Sequence, residues 1–137
     1  SSGIWTLGGA NTYSGDTTVN GGTLVVGGII VGSTVVNAGT LAVNGTISGS
    51  TIVQNGGTLA GDVGTLGNVT VKNGGALSPG GNVTGSLTVN GNLLLETSSN
   101  FNVQFDAGAG FIDGITVNGN LNITSASIIN APLPNDA

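Results

Sequence analysis

A valine, a short Asn/Gly turn and a leucine recur along this chain about every 17 or 18 residues, and a chain with such a period folds by stacking one supersecondary unit on itself. The copies read VNGGTL from Val19, VNAGTL from Val36, VQNGGTL from Val53, VKNGGAL from Val71, VNGNL from Val89 and VNGNL from Val117. The valines lie 17, 17, 18, 18 and 28 residues apart; Leu24, Leu41, Leu59, Leu77, Leu93 and Leu121 follow at intervals of 17, 18, 18, 16 and 28. One copy cannot bury its apolar residues alone, so the core must come from neighbours covering one another.

The parity of the pattern identifies the unit. Thr17, Thr34, Thr51, Val69, Leu87 and Ile115 stand two residues before the valines, with Thr18, Val35, Ile52, Thr70, Thr88 and Thr116 between. Side chains alternate faces along a strand, so the first set shares the inward face with the valines and the second points outward. The leucine restarts the alternation after the turn, which predicts two short strands per repeat joined at an Asn/Gly corner. A third strand is expected around Ile30, Ile47, Leu66, Val83 and the run Phe101, Val103, Phe105. Short strands with corners at fixed phase predict an all-β, right-handed parallel β-helix, a solenoid of about seven coils. At roughly 4.8 Å per coil this makes a rod about 35 Å long. The valines and the leucines should form two vertical stacks inside it.

Corners account for the 27 glycines, since positive φ is cheap for Gly and tolerable for Asn. Asn20, Asn37, Asn55, Asn73, Asn90 and Asn118 at equivalent corners are expected to stack as hydrogen-bonded ladders. No stretch has sustained helical periodicity.

Charge and inventory exclude several classes of function. Lys72 is the one cation against Asp16, Asp62, Glu96, Asp106, Asp113 and Asp136, giving a net charge of -5, which cannot neutralise phosphates; nucleic acid and anionic membranes are poor partners. No apolar run has the length of a membrane span, nothing reads as a signal peptide, and residues 1–3 read as the opening of an excised fragment. Without His or Cys there is no nucleophile system of the Ser/His/Asp or Cys/His kind, and the acids fall on different coils rather than in working pairs. We therefore expect no enzyme activity, no cofactor and no metal. The segment AGAGFIDGI has one weak likeness to a calcium-binding glycine-aspartate repeat, but that motif works as a ladder of several copies, so Asp113 reads as a solvated loop acid. N-x-T sequons at Asn44, Asn68, Asn82 and Asn122 follow from an Asn- and Thr-rich composition.

Two places stand out as candidate recognition surfaces. Val35 and Ile52 should point outward on successive coils as a small apolar stripe between Thr18 and Thr70. The interval between Val89 and Val117 is about 10 residues longer than its neighbours, and loops leaving a solenoid carry recognition, which singles out Asp106, Phe111 and Asp113.

The stretch GIWTLGGANTYSGDTTVNGGTLVVGG, Gly3 to Gly28, closely resembles the passenger-associated transport repeat of bacterial type V autotransporters, with its LxGxNTYxGxTxVxxGTLxVG skeleton carried by Leu7, Gly9, Asn11, Thr12, Tyr13, Gly15, Thr17, Val19, Gly22, Thr23, Leu24, Val26 and Gly27. Asp16 stands where the family often has a second glycine and Trp5 where a smaller strand residue is usual. GGALSPGGNVTGSLTVNGNLLL, Gly74 to Leu95, is similar to the family's ALSPG coil, and FIDGITVNGNLNI, Phe111 to Ile123, to a coil found near the outer-membrane barrel. The resemblance implies a single passenger segment over residues 1–137, displayed on the outer surface of a Gram-negative cell, with the rest of the passenger and the translocator barrel as its partners in the parent chain. The expected role is a stalk that aids display and export by folding coil on coil. The rivals are an adhesin surface for a host or matrix ligand and a self-association module that clumps cells.

Overall fold

The computed structural model describes residues 3–11, 14–61, 63–79, 86–102, 105–106, 111–112, 114–123 and 128–130. Their strands form three parallel sheets that the chain visits in turn, so successive coils lie on one another as a parallel β-helix. The leucine sheet has seven strands, Ile4–Leu7, Thr23–Val26, Gly39–Val43, Gly57–Gly61, Ala76–Pro79, Asn100–Asn102 and Ile128–Asn130. The valine sheet has six, Thr17–Val19, Thr34–Val36, Thr51–Val53, Val69–Val71, Leu93–Leu95 and Leu121–Ile123. The short sheet has five, Ile29–Ile30, Thr46–Ile47, Thr65–Leu66, Ser86–Val89 and Gly114–Val117. The two-residue strands at Ile30, Ile47 and Leu66 are the expected third strand.

Alternation places the core as expected over the first coils. Val19, Val36, Val53 and Val71 are buried and in register, and Thr18, Val35, Ile52 and Thr70 between them face outward. Leu24, Leu41, Leu59 and Leu77 form the second row, in register and buried from Leu41 onward. Ile30, Ile47 and Leu66 close the triangle from the short sheet. Burying one such aliphatic side chain stabilises the fold by about 1.5–3 kcal/mol, and coils collect this only when a neighbour covers them.

The stacks then depart from the sequence pattern. Val89 pairs with Leu66 and Val117 in the short sheet, and Leu93 pairs with Val69 and Leu121 in the valine sheet. The valine row continues instead through Leu95 and Ile123, and the leucine row through Phe101. VNGNL is therefore the corner from the short sheet to the valine sheet, whereas VNGGTL turns from the valine sheet to the leucine sheet. Corner length separates them: Val89 to Leu93 spans four residues, as Ile47 to Thr51 does, while Val36 to Leu41 spans five. The coils counted along the valine row are 17, 17, 18, 24 and 28 residues long, so two coils are extended and not one.

These extensions also correct the coil number. The leucine sheet reaches seven rungs, but five coils carry all three strands; ahead of them the short sheet is reduced to a single bridge from Ala10 to Ile29. Phe101 lies in the leucine sheet rather than in the third strand, Phe105 lies outside all three sheets, and Val83 and Val103 fall outside the described residues.

Corner chemistry follows the stacking. Gly39 turns with φ 80°, and a Cβ there would run into the carbonyl oxygen of Gly22 in the coil before. Asn37 Nδ2 donates to Asn20 Oδ1 at 2.9 Å, a rung of the expected ladder; Asn118 Nδ2 donates to Asn90 Oδ1 at 2.8 Å, but on the other corner. Further along the first corner the ladder changes chemistry, and Lys72 Nζ meets Glu96 Oε2 at 3.0 Å. Among the described residues no strand lies on the outer side of the first leucine-sheet strand: Trp5, in register with Leu24, is 72% exposed and lines an open concavity of about 470 Å³ with Leu7, Val19 and Leu24.

Candidate interaction surface

The outward row of the valine sheet runs Thr18, Val35, Ile52, Thr70, Leu94 and Asn122, each aligned with the next by the parallel register. Val35 and Ile52 are register partners on adjacent coils and both are half-buried. Leu94 extends the apolar row beyond Thr70. The sequence pattern does not single it out, because Leu93 continues the count of leucines; the signal that finds it is the four-residue corner, which moves residues 93–95 to the valine sheet.

The extended coil contributes a different structure. Phe105–Asp106 and Phe111–Ile112 form a two-stranded antiparallel hairpin with Asp106 opposite Phe111. The hairpin leaves the stack between the leucine sheet and the short sheet, so it does not continue the face that carries Val35 and Ile52. Antiparallel pairing ties the two candidate residues at one level of an excursion from an otherwise parallel molecule. Asp113 lies outside the described residues.

Elsewhere the surface is weakly charged and amide-rich. The short sheet presents Thr46, Thr65, Thr88 and Thr116 in one row, in register with Ile29. Lys72 and Glu96 answer each other across adjacent coils. No group of three His, Cys, Asp or Glu that could hold a metal ion occurs among the described residues. No helix among them is long and apolar enough to cross a membrane. Such a face can offer shape, a narrow apolar row and ladders of amides and hydroxyls.

The family model of the passenger-associated transport repeat matches residues 1–26 and 30–43, so the chain carries an autotransporter passenger repeat motif. The matched part covers the first valine and leucine corners, where register and sequence period agree. No curated protein matches the chain.

Proposed function

We propose that this chain, a parallel β-solenoid bearing the autotransporter passenger repeat, is a stalk segment of a secreted passenger at the surface of a Gram-negative cell. The repeat and the solenoid together fit such a stalk. The observation that carries the reading is the unbroken inner stack from Val19 to Leu95, in which every coil is covered by the next. A rod built this way has length and stiffness without a site, and each coil that forms outside the cell buries its aliphatic rows against the last. Backward sliding would re-expose them at about 1.5–3 kcal/mol per side chain, which makes growth of the stack directional during export. Its partners are the remaining passenger and the translocator of the parent chain, and the work requires no catalysis.

The test is made in the parent passenger. Deleting residues 37–53 removes one coil in register and should leave surface display intact, whereas Val53→Asp breaks the stack and should lower the amount displayed. Loss of display on the in-register deletion refutes the stalk. Binding of the purified chain to host cells or matrix that disappears on deletion of residues 106–112 would make it an adhesin, and a dimer in solution would make it a self-association module.

A further inference from the structure

Six Asn-Gly pairs occur in this chain, at Asn20, Asn44, Asn55, Asn73, Asn90 and Asn118. Asn-Gly is chemically labile because the glycine amide nitrogen, unhindered by a side chain, can attack the asparagine carboxamide. The attack needs that nitrogen to lose its proton and reach the carboxamide carbon, so a glycine N–H held in a backbone hydrogen bond is protected. The solenoid sorts the six pairs by this criterion. Gly45 N–H donates to Val26 O at 2.8 Å, Gly119 to Gly91 O at 3.0 Å, Gly74 to Ser98 O at 3.2 Å and Gly56 to Gly74 O at 3.3 Å. Gly21 and Gly91 have no acceptor for their N–H among the described residues, and Asn20 and Asn90 before them are exposed to water.

We propose that Asn20 and Asn90 are sites of spontaneous self-modification. The deprotonated Gly21 or Gly91 nitrogen forms a bond to the Asn Cγ, the bond from Cγ to the side-chain nitrogen breaks, and that nitrogen leaves as ammonia with a proton from water. The resulting succinimide adds water at one of its two carbonyls and opens to aspartate or isoaspartate. Amide plus water thus becomes carboxylate plus ammonium, with no other reactant.

The ladders give these two positions a second property. In each, the labile residue is the acceptor: Asn37 Nδ2 donates to Asn20 Oδ1, and Asn118 Nδ2 donates to Asn90 Oδ1. A carboxylate is an acceptor on both oxygens, so aspartate at either site keeps the inter-coil hydrogen bond and charges it. The donor ends are spared, because Asn37 precedes Ala38 and the Gly119 N–H is engaged. Opening to aspartate therefore makes the rod more acidic at two different corners and keeps both inter-coil hydrogen bonds.

The experiment incubates the purified chain at mildly alkaline pH and follows each Asn-containing peptide by mass spectrometry. Asn20 and Asn90 should convert at least about tenfold faster than Asn44, a difference of about 1.4 kcal/mol in barrier. In urea all six pairs should converge. Conversion of folded Asn44 as fast as Asn20 and Asn90 overturns the proposal. As a second measurement, the double variant Asn20→Asp, Asn90→Asp should melt with the parent protein, and adding Asn37→Asp, which removes the donor, should lower the melting temperature; an equal loss in both overturns the acceptor assignment.

Discussion

Thr34 and Thr51 are wholly buried on the inward face of the valine sheet, in register with each other, and neither hydroxyl has a hydrogen-bond partner among the described residues. A hydroxyl buried without a partner costs about 1–3 kcal/mol by protein mutational measures. The next residue in the same row is Val69, directly above Thr51 and also buried, so the position already accepts the branched shape of valine. Thr51→Val exchanges the orphan hydroxyl for a methyl that adds about 0.8 kcal/mol of apolar burial. With valine and threonine alike in strand preference, a net gain of about 2 kcal/mol is expected. At about 4 °C per kcal/mol for a chain of this length, the melting midpoint should rise by about 8 °C. Urea unfolding followed by circular dichroism measures the free energy, and the slope should not change, since the surface exposed on unfolding is nearly the same. The reasoning is refuted if Thr51→Val is neutral or destabilising alone while Thr34→Val, Thr51→Val together stabilises, since that pattern means the two hydroxyls partner each other. It is refuted equally if both single variants lose stability.

Val53→Asp buries an unpaired charge in the valine row and should cost about 4 kcal/mol or more, whereas Thr70→Asp on the outward row should cost about 1 kcal/mol or less; equal losses by thermal melting would mean the faces are reversed. Lys72→Ala removes a half-exposed ion pair and should cost under about 1 kcal/mol, an effect that high salt abolishes in the parent protein and that a salt titration of the unfolding midpoint would check.

The sequence by itself determined the kind of molecule. The repeat of valine, Asn/Gly turn and leucine, with polar and apolar residues alternating about it, is local chemistry: a strand shows its parity within three residues, and a corner shows its glycine. The inward Val36 and Leu41, the outward Val35 and Ile52 and the third strand at Ile30, Ile47 and Leu66 were all legible on that basis. Asp106 and Phe111 could be placed on an excursion, because 28 residues between equivalent valines is too long for one coil.

What only the tertiary structure decided is which residue lies above which. A V-N-G-x-L motif encodes a turn without naming the corner it serves, so Val89 and Leu93 continued the count smoothly while belonging to other rows. Their true neighbours, Leu66 and Val69, are more than 20 residues away and are chosen by parallel hydrogen bonding between coils. The extra residues between Pro79 and Ser86 moved the phase of every later motif, and a period counted along the chain cannot register such a slip when its length mimics a repeat. For the same reason Leu94 joined the outward row of Val35 and Ile52, and Asn90 took Asn118 as its partner instead of Asn73. Parity is fixed within a strand by the backbone, whereas stacking is fixed between coils by which side chains can cover one another. Only the folded chain brings those coils together.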